Sequence, residues 1–131
     1  MNDYEVKIFN NTYPVAAPLC ANNKYLSTQV MDLTALPAAG LWEIGNATYR
    51  ALQSSTPVEN YSLITYQLEV YAKTKQECRM VFKAIDERMI SMNFERVSAQ
   101  YITYPDNMHV VRYVARYEAV VDAEGNLYRR S

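Results

Sequence analysis

The sequence predicts an α+β fold: a two-layer sandwich in which a mainly antiparallel sheet packs against two helices. Two observations lead there. The stretch TKQECRMVFKAIDERMISM, 74–92, repeats its apolar residues at helical spacing, whereas YSLITYQLEVYA, 61–72, and HVVRYVARYEAVV, 109–121, alternate as half-buried strands do. The strands come in pairs joined by turn-forming segments, and such runs with helices between them give an antiparallel sheet covered on one side. A third observation sets the scale. The chain has 131 residues, 50% hydrophobic and 21% charged, which fits one domain, 1–131, able to bury its own core.

The first helix is expected within residues 4–22. Val6, Phe9, Tyr13, Ala16, Ala17 and Cys20 recur at roughly helical spacing, and Asp3 can cap the start. Pro14 and Pro18 each remove an amide donor and crowd the carbonyl four residues back, so the expectation is a kinked helix or two short ones. Residues 23–39 show no clear period. Tyr25-Leu26 and Val30-Met31 offer apolar pairs, and Leu36-Pro37 reads as a connection.

GLWEIGNATYR, 40–50, reads as the first strand, with Gly45-Asn46 suggesting a bulge or bend. QSSTPVEN, 53–60, is rich in turn formers and reads as an exposed loop. In the strand that follows, Ile64, Tyr66, Leu68 and Val70 share one face. Leu63, Thr65, Gln67, Glu69 and Tyr71 share the other, which is mostly polar and expected to stay out of the core.

The second helix opens with Thr74 and Glu77, a T-x-x-E capping box. Cys78, Val81, Phe82, Ile85, Met89 and Met92 form its apolar stripe, and Asn93 suits a left-handed cap. FERVSAQYITY, 94–104, is the third strand, and Pro105-Asp106-Asn107 has hairpin chemistry. In the fourth, Val111, Tyr113, Ala115, Tyr117, Ala119 and Val121 face one way, while Arg112, Arg116 and Glu118 face the other. Glu124-Gly125-Asn126 is a turn, after which 127–130 can add a short final strand.

Composition excludes several functions. A formal net charge of −1 argues against a nucleic-acid binder, though not against a local basic patch. Cys20 and Cys78 lack metal-ligand spacing. One disulfide is conceivable, but two buried free thiols fit better. No run of about 18 apolar residues is present to span a bilayer. MNDYEVKIFNN lacks the basic-then-apolar pattern of a signal peptide, so the chain is expected to stay in the cytosol of the cell that makes it.

The residues offer no assembled chemistry. His109, the one histidine, sits by a turn near Asp106 and reads as a solvated surface residue. No nucleophile elbow is present, three glycines make no phosphate loop, and no ligands are spaced for a metal. Asp86 and Glu87 are adjacent on a helix and point apart, and Glu77 belongs to the cap. Arg129-Arg130 is too short for a basic tail. Neither an enzyme nor a cofactor is expected. Arg112 and Arg116 can grip a partner carboxylate or nucleic acid, but a charged, solvated sheet face with cross-strand ion pairs is the simpler reading. The 12 tyrosines against 3 phenylalanines suit half-buried faces and interfaces.

The assembled order resembles the tail terminator (tail completion) proteins of tailed bacteriophages and related prophages. The likeness rests on VAAPLCA at 15–21, GNATYR at 45–50, ENYSLITYQLEVYA at 59–72, KQECRMVFKAIDERMISMNFERVSAQ at 75–100 and VVRYVARYEAVVDAEGNLYRR at 110–130. Pro14 and the weak pattern of 23–39 depart from it. The resemblance implies a ring, usually a hexamer, that caps the tail tube and meets the neck or head–tail connector, with no catalytic residues. Its implied partners are sister copies, the tube protein, the connector and, in a contractile tail, the sheath. DNA passes the channel unread, and no membrane is involved. The implied location is the virion tail, assembled in the bacterial cytoplasm. The candidate interface residues are Arg50, Gln53, Pro57 and Glu59 in and beside the loop, with Arg112, Arg116 and Glu118 on the strand. A closed ring needs two different complementary surfaces per subunit. Other neck proteins, or the terminator of a contractile bacteriocin-like particle, fit the same pattern. From another class, so does a small regulatory or peptide-binding module using an exposed sheet edge.

Overall fold

Hydrophobic alternation and helical periodicity place the elements much as expected. The computed structural model of the chain describes residues 3–30, 35–48, 61–102, 110–122 and 124–129. Helix α1 runs Asp3–Ala16, followed by 3₁₀ turns at Ala17–Leu19 and Ala21–Asn23. Strand β1, Tyr25–Leu26, precedes β2, Ala38–Thr48, and β3, Ser62–Ala72. Helix α2, Lys75–Ser91, leads to β4, Glu95–Ile102, β5, Val111–Val121, and the short β6, Leu127–Tyr128. The strands form one sheet in the order β1-β2-β3-β5-β4, with β6 paired to β5. Only β1 and β2 run parallel; the other pairs are antiparallel. This is the expected α+β sandwich, with α1 and α2 packed on one face of the sheet.

In α2, Thr74 occupies the N-cap and its hydroxyl accepts from the Glu77 amide at 3.1 Å. Only this half of the capping box forms. Glu77 Oε1 is buried and makes no hydrogen bond. The stripe Cys78, Val81, Phe82, Ile85 and Met89 is buried as its spacing requires, with Met92 partly buried beside it. Asn93 takes φ 74°, the left-handed conformation of a helix C-terminus. Arg129 donates to the carbonyls of Ile90 and Phe94, both at 3.3 Å, and so serves the end of α2 rather than a basic tail.

Helix α1 departs from its expected phase. Its buried residues are Tyr4, Ile8, Thr12 and Ala16, at every fourth position, while Val6 and Tyr13 are exposed. A stripe drawn through apolar residues alone misses Thr12. That hydroxyl can be buried because it donates to the Ile8 carbonyl at 3.0 Å and accepts from Tyr25 Oη at 2.6 Å. Pro14 sits inside the last turn without splitting the helix. Tyr4 Oη donates to Glu43 Oε1 and accepts from Asn46 at 3.1 Å, which fastens α1 to β2. Asp86 fastens α2 to β4 and β5 on the same face, accepting from Tyr117 at 2.7 Å and Arg96 at 2.9 Å.

Strand β2 begins two residues before its expected start. The register shifts between Glu43 and Gly45, so the bulge falls at Ile44, just before the glycine. A second shift lies between Arg96 and Ser98, at Val97 of β4. Both bulges are on strands at the flanks of the sheet, and both leave a β-branched residue in water: Ile44 is 42% exposed and Val97 44%.

The face turned away from the helices is not uniformly open. Tyr71 and Glu69, expected on a polar outer face, are both buried. Residues 27–30 and 35–37 cross this face at one end, giving the otherwise patternless stretch its role as a strap. Val30 and Leu36 pack there with Ala38, Tyr71 and Val110 in a second small core. Gly40 lets the strap come close, because a Cβ there would lie 2.3 Å from the Thr28 carbonyl oxygen.

Candidate interaction face

Strand register decides which side chains meet beside the strap. Opposite β3, Gln67 aligns with Arg116, Glu69 with Val114 and Tyr71 with Arg112. Glu69 therefore lies diagonally between the two arginines, a separation long side chains can span. Its own exposure is 1%.

A carboxylate so hidden needs partners on both oxygens. Oε2 accepts from Gln67 Nε2 at 2.7 Å and from Arg112 Nη2 at 2.8 Å, and Oε1 accepts from Tyr71 Oη. Gln67 then offers its carbonyl oxygen to Arg116 Nε at 3.1 Å. One buried acid thus fixes Arg112 directly and Arg116 through an amide. The Arg112 guanidinium also lies 5.9 Å from the centre of the Tyr71 ring.

The protonation states agree with this arrangement. Burial works to lower the Arg112 pKa, but the hydrogen bond and charge of Glu69 outweigh it and hold the guanidinium above its usual range. Burial pushes the Tyr71 hydroxyl up to about 12, and its bond to Glu69 pushes the same way, so it remains a donor.

Past this network the face opens into a groove of about 340 Å³, lined by Gln67, Ser98, Gln100, Ile102, Arg112, Val114 and Arg116. Its apolar lining is Val114, midway between the two arginines on β5, and Ile102, opposite Arg112 on β4. Glu118 is the next residue of β5 on this face, standing opposite Thr65 on β3 and Glu95 on β4.

Of the expected interface residues, the structure brings Arg112 and Arg116 to one groove, with Glu118 just beyond its Arg116 end. A cross-strand ion pair is present, Arg112 with Glu69, but its acid is buried where the charged face was expected to be solvated. Arg50, Gln53, Pro57 and Glu59 lie outside the described residues, as do His109 and the 105–107 turn. Alternation already placed Gln67 and Glu69 on the right face. What it lacked was the register that sets them against β5.

Cys20 and Cys78 are free and buried, and burial pushes their thiols up to about 11 and about 12. Among the described residues, no three or more His, Cys, Asp or Glu side chains converge as a metal ion requires. No helix among them is long and apolar enough to cross a membrane. The chain matches no protein-family model, and no curated protein matches it.

Proposed function

We propose that the protein is a structural subunit of a ring, hexameric by the resemblance of its sequence, that terminates a phage or phage-like tail tube and joins it to the neck. The observation that carries this reading is the unlike construction of the sheet's two flanks. On one side, β1 covers β2 only at Ala39 and Gly40, and among the described residues no strand pairs with the outer side of Leu41–Thr48. On the other side, β4 is the last strand, and its groove carries two oriented arginines. Two different incomplete surfaces at opposite ends of one sheet are what a head-to-tail, closing contact uses.

In this role the protein works by shape and contact, without catalysis, and its place is the virion tail. Light scattering tests the reading, on the purified chain alone and mixed with tail tubes. Rings of about six copies, seen by electron microscopy at one end of tails, are the expected result. A chain that stays monomeric with and without tubes, and is absent from tail ends, overturns it. The groove also favours a second reading, a small peptide-binding module, which would saturate with peptide as a monomer.

A further inference from the structure

We propose that the groove over β3, β5 and β4 binds an extended acidic peptide segment, with two carboxylates four residues apart seated on Arg112 and Arg116. The inference goes beyond the ring; it deepens the peptide-binding reading of the same groove and rests on it.

The argument begins with spacing. Arg112 and Arg116 are four residues apart on one strand face, which places their backbones about 13 Å apart. An extended segment has the same rise, so acidic residues at its first and fifth positions come into register with the two guanidiniums. Its third residue then lies over Val114, the apolar lining residue between them. An alternating acid–apolar–acid pattern fits a site built as cation, hydrocarbon, cation.

Orientation is the second point. A surface arginine ordinarily gives up considerable side-chain freedom to bind. Here Glu69 holds Arg112, and Gln67, itself bound to Glu69, holds Arg116 by its Nε. Arg116 is thereby fixed through one nitrogen, leaving its two terminal nitrogens as a fork for a planar carboxylate. Arg112 Nε is buried and has no acceptor. Ser98, Gln100 and Gln67 on the walls supply further polar groups for the segment's backbone.

Charge sets the limits. Among the described residues the groove lining contains two cations and no anion, with one positive charge offset by Glu69 beneath. Beyond the Arg116 end, Glu95 and Glu118 stand opposite one another. They close that end against a third acidic residue. The site therefore takes a short segment with two carboxylates and does not form a long anionic track.

Fluorescence anisotropy tests this with three labelled nonapeptides at about 50 mM salt, where screening leaves surface pairs measurable. GSETVTESG carries its acids four apart, GSTEVETSG two apart, and GSQTVTQSG none. The first should bind the intact protein saturably, at least about tenfold more tightly than either of the others, as expected for charge-assisted hydrogen bonds at both ends. Arg116→Gln should weaken it by about tenfold while leaving the circular dichroism unchanged, since the Glu69–Arg112 pair is untouched. Arg112→Gln is the second variant. Equal binding of the three peptides, no binding at all, or indifference to Arg116→Gln overturns the proposal. So does a labelled oligothymidylate that binds more tightly than GSETVTESG and is itself lost with Arg116→Gln, because the groove would then read phosphates. Neither the peptides nor the variants need the protein to form rings, so a failed ring assay and a failed peptide assay are separate results.

Discussion

Leu68 and Glu69 are neighbours on β3 and almost equally hidden from water, at 0% and 1% exposure, yet they are buried by opposite means. Leu68 points under the helices among hydrocarbon side chains, where shape and area stabilise it. Glu69 points to the other face, where the strap and a set of donors replace its water. The helix-covered face is a core that tolerates its parts being exchanged for others of like volume. The strap-covered face is a polar network, in which each member depends on another. One strand thus separates a layer built for stability from a layer that holds side chains in fixed directions.

The largest expected effect comes from breaking the network on one side only. Glu69→Ala leaves Arg112 partly buried without its counter-ion and should cost about 3–5 kcal/mol in urea denaturation. Leu68→Ala should cost about 2–5 kcal/mol by transfer and cavity terms. The comparison lies in the repair. Replacing Glu69 and Arg112 together by leucine should recover most of the first loss, whereas no change on the open face should recover the second. If the double replacement is as unstable as Glu69→Ala, the pair is not what stabilises that face.

Gly40→Ala probes the strap. The added carbon meets the Thr28 carbonyl oxygen, so the strap must shift, at about 1–3 kcal/mol. Tyr71 should then become more accessible, read as a change in its fluorescence and solvent exchange. An unchanged Tyr71 environment would show that the strap does not close over it.

Alkali should separate the core thiols from Tyr71 in sequence. The core thiols are raised from 9.0, Cys20 to about 11 and Cys78 to about 12, while Tyr71 on the other face rises from 10.0 to about 12. In each case the unfolded chain loses its proton first. Stability is therefore full below the unfolded value and falls as pH rises toward the folded one. Between pH 9 and 10 the thiols of the helix-covered face dominate the loss, so a Cys20→Ala, Cys78→Ala double variant should show a flatter stability profile there. Tyr71→Phe should alter the profile only above pH 10. The smallest effect belongs to Arg116→Gln, which should change stability by less than about 0.5 kcal/mol, as exposed substitutions do.

Much of the helix-covered layer was legible in the sequence. The stripe of α2, its threonine cap, the inward faces of β3 and β5, the final hairpin and the left-handed Asn93 all follow from local rules that one segment can obey by itself. The phase of α1 was less legible, because Thr12 belongs to the buried set only once Tyr25 is there to share its hydroxyl. Residues 27–37 have no period to find. The path of 27–30 and 35–37 is set by Gly40 and Tyr71 beneath them. The candidate site was half readable: Arg112 and Arg116 stood out on one strand face, but their partner Glu69 is 43 positions from Arg112. Only strand register brings the two together, and alternation fixes a face without fixing which residue stands across from it.

The twin irregularities at Ile44 and Val97 have a consequence for life at high local concentration. A straight, bare margin recruits copies of itself without limit and ends as fibre. Here β4 and the stretch of β2 that β1 leaves uncovered each carry an extra residue that throws the peptide groups out of step, so a second chain laid alongside loses its ladder within a few rungs. Crowded molecules are steered away from templated growth and toward contacts made by side chains, which can be counted and can stop.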